Sequence, residues 1–214
     1  MRTVPPTEKG KYRAIASGAI ANGKPVVVNS DGTVKFAGQE TVSTTVGSAT
    51  TFDTNAITGT DITFDSSNNK VVVSYQSGRT GDYGVARVGT VDASNNTISF
   101  GTETVFENAS TQYTSIDFDS TNNKVLIVYR DVGNSNYGTA IVGTVSGTDI
   151  SFGSPTVFES ASTQYITTRF DPDNSKFLIV YRDNGNSQYG TAIVATISGT
   201  SVSFGSATTF NSVS

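Results

Sequence analysis

The sequence predicts an all-β protein of four-stranded antiparallel repeats, 52–54 residues long and propeller-like as blades, preceded by a small β module. Three observations carry that expectation. The pairs Phe64-Asp65, Phe118-Asp119 and Phe170-Asp171 recur at intervals of 54 and 52 residues. Residues 101–152 and 153–204 align without a gap and agree at 35 of 52 positions, and self-similarity at a fixed period is the mark of a repeat architecture. Only 15% of the chain is charged and 36% hydrophobic, with Gly, Ser, Thr and Asn abundant, a mix that suits short strands joined by tight turns.

Taken in order, residues 1–43 form an N-terminal module outside the repeat. Tyr12–Ala16, Pro25–Asn29 and Thr33–Ala37 read as three short strands, and Asn29-Ser30-Asp31-Gly32 as the turn between the last two, since Asp-Gly supplies the positive φ of a tight hairpin. Too small to hold a core alone, the module docks on the array or anchors to a partner. The array covers 44–214, with an orphan outer strand at 44–52 and repeats at about 53–106, 107–158 and 159–210. In the second repeat, Thr114–Asp119 and Lys124–Arg130 make a hairpin across Asn122-Asn123. A third strand runs Tyr137–Val145, and Ser146-Gly147-Thr148 turns it into a fourth, Ile150–Phe158. The first repeat diverges at Gln76–Tyr83 and gains two residues in the turn Asp92–Asn96.

The unbroken run Val125-Leu126-Ile127-Val128-Tyr129 has no wet face, so its sheet is covered on both sides. Four-stranded sheets stacked face to face around an axis are propeller blades. A sandwich would not need such faithful repetition, and β-helix coils are shorter. Three blades do not close a ring, since rings use about four to eight. Gly47-Ser48-Ala49-Thr50-Thr51-Phe52 is identical to Gly205-Ser206-Ala207-Thr208-Thr209-Phe210, so the array begins on an outer strand and breaks off inside a linker. Two completions are expected: further repeats in a longer natural chain, with the orphan strand closing the last blade, or association of chains as a homo-oligomer.

Composition excludes several functions. A net charge of -4 and a pI near 4.7, with no cluster of Lys and Arg, argue against a nucleic-acid partner. Cysteine, histidine and tryptophan are absent, which removes thiolate metal sites, the commonest general base and the commonest zinc ligand. Neither a signal-peptide h-region nor a membrane span is present, so no membrane insertion is expected.

Connections between strands two and three, and from strand four to the next blade, emerge on one propeller face. That face gathers Arg130, Asp131, Asn134, Ser135 and Tyr137, their counterparts Arg182, Asp183, Asn186, Ser187 and Tyr189, and the linker residues Gln112, Tyr113, Gln164 and Tyr165. Polar groups among tyrosines suit a sugar or protein surface. A structural reading competes with this and repetition favours it: Gly133 and Asn134 taking left-handed backbone, Asp131 bonding nearby amides, Tyr137 packing between blades. Asp171-x-Asp173-x-Ser175 and Asp117-x-Asp119-x-Thr121 open like a calcium loop, but Lys176 stands at the obligatory Gly and Arg182 at the bidentate Glu. These aspartates are expected to stabilise turns. Asp119, Asp131, Asp171 and Asp183 could supply paired carboxylates, yet each recurs, whereas a catalytic pair is unique. No catalytic, cofactor-binding or metal residue is assigned, and the chain reads as no enzyme.

Units of the form Phe-Asp-x-x-x-Asn-x-Lys-x-Leu-Ile-Val-Tyr-Arg-Asp-x-Gly-Asn-Ser-x-Tyr-Gly-Thr-Ala-Ile-Val, ending in Ser-Phe-Gly-Ser, resemble repeats in virion structural proteins of marine tailed bacteriophages. The resemblance covers residues 44–214, and Gly18–Val34 looks like the short β modules that open some virion proteins. It implies a virion surface component of decoration or fibre type, residues 1–43 seated on capsid or tail proteins, the array projecting as decoration or host-adhesion element toward a surface glycan. A carbohydrate-binding lectin or adhesin propeller outside any virion is the alternative.

Overall fold

The computed structural model describes residues 26–36, 46–78 and 81–212. The chain divides into two compact units, Met1–Thr45 and Val46–Ser214. In the first, β1 (Val26–Val28) pairs antiparallel with β2 (Val34–Phe36). The turn closes through Asn29 N–H to the Thr33 carbonyl at 2.8 Å and Gly32 N–H to the Asn29 carbonyl at 3.0 Å. Of the Asp31-Gly32 pair only Gly32 takes positive φ, at 81°, and the Asp31 carboxylate instead accepts the Thr33 N–H at 2.9 Å. The expected strand Tyr12–Ala16 lies outside the described residues.

The second unit is all β, thirteen strands in one connected antiparallel network with repeating strand groups. Repeat 1 holds β3 (Ile57–Asp65), β4 (Lys70–Ser77), β5 (Tyr83–Asp92) and β6 (Thr97–Phe100). Then come β7 (Thr104–Asp119), β8 (Lys124–Asp131), β9 (Tyr137–Ser146) and β10 (Asp149–Phe152). The last are β11 (Thr156–Asp171), β12 (Lys176–Asp183), β13 (Tyr189–Ser198), β14 (Ser201–Phe204) and β15 (Thr208–Asn211).

Two expectations are corrected here. The fourth strand is not continuous over Ile150–Phe158: it splits into β10 and the start of β11 around Gly153-Ser154-Pro155, where proline offers no N–H to the ladder. The linkers, expected as loops, are strand. β11 pairs first with β9 through Thr156↔Ala140 and Val157↔Thr139, then changes partner and pairs with β12 from Thr163↔Asp183 onward. Register shifts at Val157/Glu159, Glu159/Ser162 and Gln164/Thr167 bend it between the two sheets, as bulges do. β7 makes the same change from β5 to β8. One 16-residue strand thus belongs to two repeats, so each junction is covalent and hydrogen-bonded as well as packed.

Between repeats the packing alternates by strand period. Leu126, Val128, Ala140 and Val142 of repeat 2 form one core with Phe177, Ile179, Tyr181, Ile193 and Ala195 of repeat 3. Val72, Ala86 and Val88 of repeat 1 do the same with Val125, Ile127, Tyr129 and Ile141 of repeat 2. A phenylalanine keys each repeat, Phe106 and Phe158 from the changing strands and Phe52 from the segment before β3. Phe106 meets Tyr129 at 5.2 Å and Phe152 at 5.8 Å, Phe158 meets Tyr181 at 5.2 Å and Phe204 at 5.9 Å, and Phe52 meets Tyr75 at 5.2 Å and Phe100 at 5.4 Å. Such edge and tilted ring pairs add ~0.5–1.5 kcal/mol each beyond area burial.

Along the strands that head the repeats, side chains rung the junction. The Asp61 carboxylate accepts the Ser115 hydroxyl at 2.8 Å and the Ile116 N–H at 3.0 Å. Asp117 accepts the Thr63 hydroxyl at 3.1 Å and the Phe170 N–H at 2.8 Å. Each carboxylate satisfies an edge amide of the following repeat that no strand reaches.

Burial of the apolar strand on both faces holds for repeat 2, where Val125 through Tyr129 are all fully buried. It fails at the array's ends. Leu178 and Val194, equivalent to buried Leu126 and Val142, are 46% and 45% exposed; Ile62 and Phe64, equivalent to buried Ile116 and Phe118, are 56% and 54% exposed. The cause is position: among the described residues, neither face has the neighbouring sheet that the inner junctions have.

Candidate functional site

The sequence-selected residues do converge. Gln112↔Arg130, Thr111↔Asp131 and Asp131↔Tyr137 are direct cross-strand partners in repeat 2, as are Gln164↔Arg182, Thr163↔Asp183 and Asp183↔Tyr189 in repeat 3. Ser162 of β11 opposes Tyr137 of β9. Gln112, Tyr113, Gln164 and Tyr165 sit in bulged strand rather than loop. Arg130, Asp131, Arg182 and Asp183 end β8 and β12, while Tyr137 and Tyr189 begin β9 and β13. Asn134, Ser135, Asn186 and Ser187 occupy the exposed turns between them.

Each turn is held from inside. Asp131, buried, accepts the Asn134 N–H at 3.0 Å; Asp183, also buried, accepts the N–H of Gly185 at 2.8 Å and of Asn186 at 3.2 Å. The left-handed positions are Ser135 and Asn136, and Ser187 and Gln188, so the expectation that Gly133 and Asn134 supply them is corrected. Gly133 serves close approach instead, since a Cβ there would lie 2.5 Å from that of Ala109 on β7. The turn aspartates of the heading hairpins behave alike. Asp119 accepts Thr121 N–H at 2.8 Å, Asn122 N–H at 2.9 Å and the Asn122 side-chain amide at 2.8 Å, and Asp65 and Asp171 repeat the pattern. Their oxygens are spent on turn amides, which is Asx-turn chemistry.

Electrostatics follow burial. Burial raises the Asp131 carboxyl against the lowering pull of the Asn134 and Gly133 amides. Burial, then the charge of Asp131, pushes Glu107 up, with the Tyr129 hydroxyl opposing. Tyr129 donates to Glu107 at 3.0 Å, and Tyr181 to Glu159 at 3.1 Å. Desolvation first, and then the neighbouring carboxylate, raises both phenols far above their ordinary value, so each is a fixed donor. These carboxylate–phenol pairs tie the keyed phenylalanine strands to the next repeat.

At the bulges, Tyr113 and Tyr165 take positive φ of 53° and 52°, where the first repeat has Gly59 at 59°. Bulky residues there are outliers that ask for a cause. Their rings meet at 5.4 Å, and Tyr113 covers the core between repeats 2 and 3. Tyr165, the same residue one repeat on, is 64% exposed with Arg182 5.8 Å over its ring. Arg130 donates to Gln112 at 3.2 Å, whereas Arg182 turns to Gln188.

Sequence reasoning missed a polar cluster in repeat 1. Asp53, Asn55, Arg87 and Glu103 line a cleft of ≈ 210 Å³ beside Phe52. Arg87 donates to the Tyr75 hydroxyl at 3.1 Å and the Gly101 carbonyl at 3.3 Å, and pairs with Glu103 at 3.5 Å. Burial raises Asp53, but the Asn55 amides with the Tyr75 and Ser77 hydroxyls outweigh it and hold the carboxyl low. The signal was present as a departure: Arg87 stands where repeats 2 and 3 carry Ile141 and Ile193, and Glu103 where they carry Pro155 and Ala207. Among the described residues, no group of three or more acidic side chains is placed to hold a metal ion. No protein-family model matches the chain, and no curated protein matches it.

Proposed function

We propose that this chain is a non-enzymatic structural protein of a tailed-bacteriophage virion surface. Its N-terminal module, residues 1–43, seats on capsid or tail proteins, and its repeats act as propeller blades displayed outward as decoration or host-adhesion element. The observation that supports an architectural role is the employment of the repeated polar groups. Asp65, Asp119, Asp131, Asp171 and Asp183 hold turns, Glu107 and Glu159 hold phenols, and Asp61 and Asp117 rung the junctions. Residues so used are committed to the fold where they recur. The blade reading is supported by sheets facing one another in series with their heading strands side by side. The virion assignment is supported by the repeat wording of residues 44–214. Antibody labelling and peptide mass spectrometry of purified particles test it: label on the particle surface is expected, and absence of the chain from virions overturns the reading.

A second reading, a glycan-binding adhesin face, is favoured by one observation, the stacked Tyr113 and Tyr165 with Arg182 over the exposed ring. Aromatic faces beside hydrogen-bonding side chains suit sugars. Glycan-array binding that disappears on Tyr165→Ala and Tyr189→Ala would support it, and an empty array would remove it.

A further inference from the structure

The two ends of the array are halves of the same joint. At an inner junction, the keyed phenylalanine lies between a glycine of its own repeat and a tyrosine of the next: a Cβ on Gly138 would come within 2.5 Å of the Phe158 ring, whose other side meets Tyr181. At the C-terminal end Phe210 rests on Gly190, a Cβ there lying 2.7 Å from its ring, but is 65% exposed for want of a following tyrosine. At the N-terminal end Phe52 has its tyrosine, Tyr75, and its partner Phe100, but no preceding glycine. The glycine that opens each such segment shows the same division. Gly101 and Gly153 lie tight under the carbonyls of Thr148 and Thr200, and Gly47 lies under that of Asn96. A Cβ on Gly205 would meet only the Val194 oxygen, at 3.8 Å.

We infer that a second copy of this chain docks head to tail, its segment 46–52 taking the place of β15 on β13. The hexapeptides 47–52 and 205–210 are identical, so either can supply the strand that pairs with β13, now through Thr191↔Thr209 and Ala192↔Thr208. Only one can fill the slot between Gly190 and the partner's Tyr75. Segment 46–52 is the better held on its own repeat, by Gly47, Phe52 and the Asp53 bond to Ser77 at 3.2 Å. Expected as an outer strand, it is not strand over the described residues 46–52 and has no strand partner among the described residues. β15 is four exposed residues and is the strand that yields. Docking lays Ile62 and Phe64 of one copy over Leu178 and Val194 of the other, reproducing the burial of Ile116 and Phe118 against repeat 1 and of Leu126 and Val142 against repeat 3. Arg87 on the entering face is already paired with Glu103 and the Tyr75 hydroxyl. The contact is heterologous, using different surfaces on the two copies, and two copies of three repeats give a ring within the four-to-eight range. This inference rests on the blade reading and is independent of any virion location.

Sedimentation of the full chain over a concentration series tests it. A reversible dimer is expected; a monomer at every concentration overturns the proposal, as would any occupant other than a second copy. Leu178→Asp and Ile62→Asp are each expected to weaken association by at least ~100-fold, while an equimolar mixture of the two, which restores one intact junction, recovers part of it. An interface between like surfaces would leave one of the two variants unaffected, which overturns the head-to-tail contact. Because 46–52 has no strand partner among the described residues, Thr50→Pro should abolish dimerisation without lowering monomer stability. Thr208→Pro should strengthen dimerisation by freeing β13. Reversal of that pair of results overturns the strand replacement. Arg169 stands where Asp117 accepts the next repeat's N–H, so Arg169→Asp is expected to tighten the dimer, and unchanged association would count against this docking geometry. Particle labelling and sedimentation fail separately, so the two proposals are told apart.

Discussion

Repeats 2 and 3 share most of their sequence and differ in what surrounds them. Lys124–Asp131 and Lys176–Asp183 differ at one of eight positions, yet one strand is sealed on both faces and the other exposes Leu178. The same holds for Tyr113, which roofs a junction, and Tyr165, which roofs nothing. Residue identity sets what a repeat can bury, and its place in the array sets what it does bury. Hydrophobic stabilisation follows the area removed from water, so equivalent residues are not equivalent in energy.

The largest expected effect comes from truncating the leucine in each setting. Leu126→Ala opens a cavity in a filled junction and should cost ~2–5 kcal/mol, whereas Leu178→Ala in the dilute chain should stay within ~1 kcal/mol. Urea denaturation of the two variants reads the difference, and equal losses would break the comparison. Next come the turn aspartates. Asp119→Ala removes a buried carboxylate that holds three turn N–H groups and should cost ~1–3 kcal/mol, while Asp171→Ala, at the more open end, should cost clearly less; thermal melts at neutral pH decide.

A smaller effect concerns pH. Glu107 is raised in the fold by burial and by Asp131, so its ionisation works against folding, and its contribution is full below the unfolded pKa and lost as pH rises through the folded one. Glu107→Gln should therefore flatten the decline in stability with rising pH across the acidic range. Asp171 is lowered by its Asn174 bonds, so its contribution is present above the unfolded pKa and lost as pH falls through the folded one. Melting temperature against pH for wild type, Glu107→Gln and Asp171→Asn separates the two signs, and a common slope would refute them. Smallest is Tyr165→Ala, expected within ~0.5 kcal/mol in the single chain, against a larger loss for Tyr113→Ala; the same melts suffice.

Much of the fold was legible. The hairpins headed by Phe64-Asp65, Phe118-Asp119 and Phe170-Asp171 showed in their turn residues, and the double burial of Val125–Tyr129 in its unbroken apolar run. What stayed hidden depended on partners far along the chain. The strand through Gln112 and Tyr113 reads as a linker because its two halves serve different sheets, and a period-2 pattern cannot survive the bulges that turn it. For the candidate site, the convergence of Arg130, Asp131 and Gln112 followed from the repeat, but their employment in turns and cross-strand bonds did not. The Arg87–Glu103 pair was visible only as a break in repetition, and its meaning needed the uncovered face on which it lies.

From the sequence alone came the repeat period, the hairpin that heads each repeat with its aspartate-held turn, and the identical segments Gly47–Phe52 and Gly205–Phe210. All of these are local or periodic, and local pattern is what the chain encodes directly. Tertiary structure decided which faces are covered, which strand spans two repeats, and that Phe52 is seated while Phe210 is not. Those depend on whether a neighbouring sheet exists to exclude water, and a side chain cannot carry that information by itself.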